Sequence, residues 1–242
     1  MNIILDDAFQ FGLGAFETIC LRCHQPMFLS WHLQRINATL QFLGISQRVT
    51  QEEVHSFLEH QQDTSLPPLH TLKIMVSENN KLFTFRDNPY TANVIQQGFR
   101  LDYSKIYRNE TSPLVFHKTM NYGDNIIEKR RTHTLDIDEV LFLNSRGEIC
   151  EGSTTNVFFV RDGQIYTPAL SCGLLPGIVR RFLLEHFPIN QVILHPEDIR
   201  IMEECFVTNS LIGIMPVTSL AQKNFHTGPV TRQCMEAYEG YL

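Results

Sequence analysis

Phe116-His117-Lys118-Thr119-Met120-Asn121-Tyr122 decides how this 242-residue chain is read. The lysine follows an apolar run, Leu114-Val115-Phe116. Such a setting strips water from an amine and turns a solvated charge into a nucleophile. Alone it says little, because most lysines are surface charges. Three downstream segments give it company: Glu148-Ile149-Cys150-Glu151-Gly152-Ser153-Thr154-Thr155-Asn156-Val157-Phe158-Phe159, Leu174-Leu175-Pro176-Gly177-Ile178-Val179-Arg180 and Val207-Thr208-Asn209-Ser210.

Composition frames that reading. A hydrophobic fraction of 43% with 19% charged residues fits a water-soluble globular chain of one large or two modest domains. The net charge of −6, with both signs interspersed, argues against a nucleic-acid or anionic-membrane partner. The start, Met1-Asn2-Ile3-Ile4-Leu5-Asp6-Asp7, has no basic segment leading into an apolar stretch, so no signal peptide is expected. No apolar run approaches the roughly 18 residues of a membrane-crossing helix. A cytoplasmic protein is expected. Six cysteines in a chain of this length do not make a disulfide scaffold. Cys20 and Cys23 form a Cys-x-x-Cys, but in a strand-like run residues three apart point to opposite faces. Free thiols and no metal site are expected.

Phe16 to Arg22 and Met27 to Leu29 read as strands around a turn at Pro26. Ser30 offers an N-cap for a helix over Trp31 to Leu43, spaced by Leu33, Ile36, Leu40 and Leu43 and stopped by Gly44. Thr50 and Glu53 make a capping box for a helix from Gln51 to Gln61. His70 to Ser77, Leu82 to Arg86 and Asn93 to Leu101 read as strands of an antiparallel sheet carrying the two helices. The polar stretch from Tyr107 to Pro113 reads as a linker. Beyond it come helices at Asn125 to His133, Asp198 to Glu203 and Gly177 to Phe187. Strands are expected at Glu139 to Leu143, Thr155 to Arg161, Gln164 to Thr167 and Glu204 to Thr208, with turns at Arg146-Gly147 and Asp162-Gly163. The expected fold is α+β: an N-terminal lobe over residues 1–107, a linker at 108–114 and a C-terminal lobe over 115–242, with a cleft between the lobes.

Pyridoxal phosphate places four demands on a protein, and each has a candidate here. Lys118 supplies the Schiff-base amine. Glu151 supplies an acid to hold the pyridine nitrogen protonated. A helix opening at Gly177, with the Ile178 and Val179 amides, offers orphan N–H groups to a phosphate. Arg35, Asn209 and Ser210 add charge and polar contacts. Tyr122, four residues after the lysine, orients the ring hydroxyl. A solvated turn glutamate, a plain helix start and a half-buried structural tyrosine are the bland readings of the same residues, and the order and spacing of the set weigh against them.

In that order and spacing the chain resembles the class IV, or fold-type IV, pyridoxal-phosphate enzymes, which include branched-chain and D-amino-acid aminotransferases and aminodeoxychorismate lyases. The resemblance runs from Phe11-Gly12-Leu13-Gly14-Ala15-Phe16-Glu17-Thr18 through His32-Leu33-Gln34-Arg35 to Met215-Pro216-Val217. It implies Lys118 as the Schiff-base lysine and Glu151 as the pyridine-nitrogen partner. It makes Arg35, Ile178, Val179 and Ser210 the phosphate cradle, and it implies a homodimer. Lys118-x-x-Asn121, the run Ser171 to Gly177 and the run Thr208 to Val217 look most like the lyases. Leu13 stands where the family carries an aspartate, and Ser77 to Arg86 replaces a glycine- and arginine-rich loop. The substrate carboxylate is left to Lys73, Arg86 or Arg100.

The activity expected from the resemblance is conversion of 4-amino-4-deoxychorismate to 4-aminobenzoate and pyruvate for folate synthesis. Lys118 is expected to move the proton, with Thr18 or Tyr122 serving the leaving group. The alternatives are a class IV aminotransferase acting on D- or branched-chain amino acids, and a non-catalytic relative.

Overall fold

The structure is a computed structural model that describes residues 3–60, 67, 69–90 and 97–242. The chain forms two compact units, Met1–Pro89 with His117–Tyr122, and Tyr90–Phe116 with Gly123–Leu242. The class is α+β.

In the first unit a short helix α1 (Asp7–Phe11) precedes strand β1 (Ala15–Arg22) and a two-residue strand β2 (Gln25–Pro26). Helix α2 (Leu29–Phe42) and helix α3 (Gln51–His60) follow, then β3 (Leu69–Val76) and β4 (Lys81–Asp87). The strands make an antiparallel sheet in the order β2-β1-β3-β4. Strand alternation sends Ile19, Leu21, Leu72 and Ile74 to one face, where they pack with Leu33, Ile36 and Leu40 of α2 and Val54 of α3. Ile36 and Leu40 are fully buried, so truncating either to alanine costs about 2–5 kcal/mol. The capping box forms as expected: Thr50 N–H donates to Glu53 at 2.9 Å, and Glu53 N–H to the Thr50 hydroxyl at 3.2 Å. Gly44 ends α2 in the left-handed region at φ 73°.

The start of α2 differs from expectation. Its N-cap is Phe28, itself left-handed at φ 52°, and Ser30 lies inside the helix. The Phe28 ring stacks on Trp31 at 5.1 Å, an apolar contact standing in place of a polar cap. Met27 to Leu29 is therefore not a strand, and the paired residues are Gln25 and Pro26.

In the second unit β5 (Phe99–Arg108) is followed by a 3-10 turn at Pro113–Phe116 and helix α4 (Gly123–Thr132). Then come β6 (Glu139–Asn144), β7 (Ile149–Gly152), β8 (Asn156–Arg161), β9 (Gln164–Pro168), helix α5 (Ile178–His186), β10 (Ile189–Val192), β11 (Glu204–Asn209), β12 (Gly213–Leu220), β13 (Lys223–Asn224) and helix α6 (Pro229–Tyr241). Their sheet runs β10-β9-β8-β11-β12-β5-β6-β7, with β13 on β12.

β5 corrects two expectations. It pairs in parallel with β12 and β6, not with the first sheet, and it continues through Tyr107 and Arg108, where a linker was expected. The first part of the strand expected at Asn93 to Leu101 lies outside the described residues, as does Gln61 at the end of α3. The helix expected at Asp198 to Glu203 is a 3-10 helix at Pro196–Ile201. The Asp162-Gly163 turn forms with both residues at positive φ, joining β8 to β9.

Candidate active site

The first unit presents the lysine. The Phe16 N–H donates to the Lys118 carbonyl at 3.0 Å and the Met120 N–H to the Gly14 carbonyl at 2.7 Å, so residues 118–120 lie along the start of β1. Phe16 and Thr18 alternate to the sheet face opposite α2, and Thr18 pairs directly with Lys73 of β3. The Lys118 ammonium lies 4.5 Å from the Phe16 ring centroid and 5.2 Å from that of Tyr122. The Tyr122 ring meets Phe16 edge-on at 5.2 Å. The Lys73 ammonium lies 3.4 Å from the same Phe16 centroid. Burial first, and then the charges of Lys118 and Arg86, push the Lys73 amine down to about 7 against the pull of Glu17.

Behind that face Glu17, fully buried, takes Arg35 Nε at 2.6 Å, Arg35 Nη2 at 2.8 Å and His32 Nδ1 at 2.7 Å. Burial alone would raise the Glu17 carboxyl, but Arg35 and His32 outweigh it and hold it well below the usual carboxylate range. Burial lowers His32 against the pull of Glu17, and Arg35 balances the Glu17 charge. Two of the Arg35 nitrogens, expected at a phosphate, are thus committed to Glu17.

The second unit presents the acid. Glu151, 6% exposed at the end of β7, accepts from Arg108 Nη2 at 3.0 Å and from the Leu175 N–H at 3.0 Å. Arg108 also reaches Asn125 at 3.1 Å and lies over the Phe142 ring at 4.2 Å. Asn156 Nδ2 donates to the Leu175 carbonyl at 2.9 Å, tying β8 to the segment that leads into α5. Glu139, fully buried at the head of β6, shapes the turn that follows Glu151. Its carboxylate accepts from the backbone N–H groups of Val140, Ser153 and Thr154 and from the hydroxyls of Ser153, Thr154 and Thr155. A Cβ on Gly152 would collide with the Thr155 hydroxyl and crowd the Glu139 side chain, so glycine suits the strand here.

Gly177 caps α5 from an extended conformation and has no side chain to satisfy the helix's first amides. A Cβ there would collide with the Asn156 amide oxygen. Ile178 and Val179 open the helix, both buried. At the end of β11, Asn209 Oδ1 accepts from the Leu211 and Ile212 N–H groups at 2.8 and 2.9 Å, which builds the turn carrying Ser210. Thr208, paired with Asn156 across β8 and β11 and so on the same sheet face, has a buried hydroxyl with no hydrogen-bond partner.

The first unit therefore gathers Lys118 and Tyr122, with Arg35 tied to Glu17 behind them. The second gathers Glu151, Gly177, Ile178 and Val179 around Asn156, while Asn209 and Ser210 continue from Thr208. Arg108, Glu139, Asn156, Thr208 and the closeness of Lys73 to Lys118 were not read from sequence. The usable signals were a charged residue heading the apolar run Val140-Leu141-Phe142 and a lysine inside the apolar strand Leu72 to Val76.

A family profile described as "Amino-transferase class IV" matches residues 14–220. The chain belongs to the class IV aminotransferase family. Class IV enzymes depend on pyridoxal phosphate, and this member is a lyase or an aminotransferase. The aminodeoxychorismate lyase of Bacillus subtilis is 27% identical over 239 residues, covering 91% of this chain and 82% of that protein. The probable branched-chain-amino-acid aminotransferase of Thermotoga maritima is 24% identical over 239 residues, covering 95% and 86%. The crystal structure of a putative 4-amino-4-deoxychorismate lyase from Legionella pneumophila superposes with a TM-score of 0.88 at 24% identity, over 99% of this chain and 95% of that one. The fold is fold-type IV. Among the described residues no helix is long and apolar enough to cross a membrane.

Proposed function

We propose that this class IV chain is an aminodeoxychorismate lyase, converting 4-amino-4-deoxychorismate to 4-aminobenzoate and pyruvate for folate synthesis. What carries the reading is the likeness to the Bacillus subtilis lyase over 91% of the chain, together with the short Lys118-x-x-Asn121 spacing.

The chain's own residues fit pyridoxal phosphate. A buried carboxylate clamped by a cation suits a ring nitrogen, and an uncapped helix start beside an orphaned buried hydroxyl suits a phosphate. When bound, the cofactor supplies an electron sink that acidifies the proton on the amine-bearing carbon. Lys118 holds the cofactor and then takes that proton at its Nζ. Glu151, held in place by Arg108 and the Leu175 amide, would hold the ring nitrogen protonated. Ile178, Val179 and Ser210, with Thr208 beside them, hold the phosphate, while Gly177 gives it room. Arg35, anchored on Glu17, adds positive charge, and Asn209 sets the Ser210 turn. Tyr122 orients the ring hydroxyl.

Incubation with aminodeoxychorismate and no keto acid tests this: catalytic release of 4-aminobenzoate is expected. The second reading, an aminotransferase, is favoured by the likeness to the Thermotoga maritima protein. It predicts turnover only when an amino acid is paired with 2-oxoglutarate. We also propose a cytoplasmic homodimer. Ile3, Ile4, Leu5, Phe9 and Phe11 are all exposed on the first unit, an apolar surface of the kind that subunits cover. Sedimentation giving a monomer would overturn that assembly.

A further inference from the structure

We propose that Lys73 is a second catalytic amine, which as the ammonium delivers a proton to the oxygen leaving the substrate's ring. The inference rests on the lyase reading. That reaction moves two protons: one comes off the amine-bearing carbon, and one must reach the oxygen of the departing enolpyruvyl group. Lys118 takes the first. As the ring C–O bond breaks, its electron pair stays on the oxygen, a Lys73 N–H bond breaks, and the proton passes to that oxygen. The enol of pyruvate departs and the neutral amine regains a proton from water.

Three observations place Lys73 for this step. Its Nζ lies 3.4 Å from the centroid of the Phe16 ring, and the Lys118 Nζ lies 4.5 Å from the same centroid, so one aromatic ring carries both amines. Lys73 pairs with Thr18 of β1 and Thr84 of β4, so its side chain leaves the sheet on the Phe16 face and not into the α2 core. The amine also has the acidity the task requires. Burial, Lys118 and Arg86 hold it near 7 and Glu17 alone opposes them, so at neutral pH it both carries and yields a proton. Arg86 lies on the same sheet face, paired with Thr71, and is exposed. It is the better anchor for a substrate carboxylate, which leaves Lys73 for proton transfer.

Arginine and methionine at position 73 separate the roles, because arginine keeps the charge and cannot give up its proton. A proton donor predicts that Lys73→Met and Lys73→Arg both lose about 10²–10⁴-fold in kcat with little change in KM. Both should keep bound cofactor and wild-type melting temperature, and both should still exchange the substrate's amine-bearing C–H with solvent deuterium. Recovery of kcat in Lys73→Arg to within a few fold of wild type would overturn the proposal in favour of a charge anchor. Loss of deuterium exchange with turnover would overturn it in favour of a role in the first step. Trace acetylation of the apoprotein across pH, read by mass spectrometry, should find the Lys73 amine titrating near 7; titration above 10 would also overturn it. If wild type releases no 4-aminobenzoate at all, the lyase reading fails while the acetylation result stands on its own.

Discussion

Glu139→Gln measures how far the site depends on a residue that no bound molecule needs to touch. The carboxylate is fully buried and collects three backbone N–H groups and three hydroxyls from Val140 and residues 153–155. Oε1 serves Val140 and Ser153, and Oε2 serves Thr154 and Thr155. A glutamine can present its oxygen to only one group, and its NH₂ then faces N–H donors that have no way to turn. Hydrogen bonds to a charged group contribute about 1.5–3 kcal/mol, and a stranded buried donor costs about 1–3 kcal/mol. The hydroxyls can rotate to accept from the new NH₂, so the net loss is about 3 kcal/mol, not the sum over six donors. For a chain of this size that is a fall of about 6–12 °C in melting temperature. Circular dichroism of the apoprotein reads it directly. Ser153→Ala, which removes one hydroxyl donor, should cost about a third as much. A Glu139→Gln protein melting within about 2 °C of wild type would refute the reasoning.

Lys118→Ala should abolish the yellow absorbance of bound pyridoxal phosphate without lowering the melting temperature; retained colour would refute the assignment of the lysine. Arg108→Met strands the buried Glu151 carboxylate and should destabilise by about 3–5 kcal/mol, with weakened cofactor affinity by fluorescence titration. Gly177→Ala should push the Asn156 amide off the Leu175 carbonyl, costing about 1–3 kcal/mol and weakening binding of inorganic phosphate to the apoprotein; unchanged phosphate affinity would count against α5 as an anion site. Glu17 is depressed in the folded state, so the stability it supplies is present above its ordinary value of 4.5 and is lost as pH falls below that value towards its folded pKa. Glu17→Gln should therefore flatten the fall in urea midpoint on the acid side of 4.5, and an unchanged slope would refute the pairing with Arg35.

What sequence resolved was whatever local chemistry decides. The Thr50–Glu53 box, the Asp162-Gly163 turn and the apolar spacing of α2 each act within a few residues, and the structure reproduces them. β5 was misplaced because its neighbours β12 and β6 depend on pairing across the chain, and a short apolar run carries no mark of its partner. Phe28 was missed because an aromatic in the left-handed region is held by stacking on Trp31 and not by its own preference. In the site, Lys118 and Glu151 stood out by their motifs. Arg108 fell in a stretch read as a linker and Glu139 at the head of a strand, and only the packed fold reveals Glu139 buried and Arg108 half-buried against the segments they hold.

The lysine segment belongs to one unit while the chain on both sides of it belongs to the other. Residues 117–122 are in effect a loan of six residues from the second unit to the first, where they line the start of β1. Neither unit is then a continuous length of chain. A fragment ending at Pro89 would leave the start of β1 without the backbone bonds it makes to residues 118 and 120, and a fragment beginning at Tyr90 would carry the lysine with no strand to lie along. Synthesis on the ribosome meets the same constraint: the first sheet can pair early, but its reactive edge is completed only after the chain has passed Tyr122.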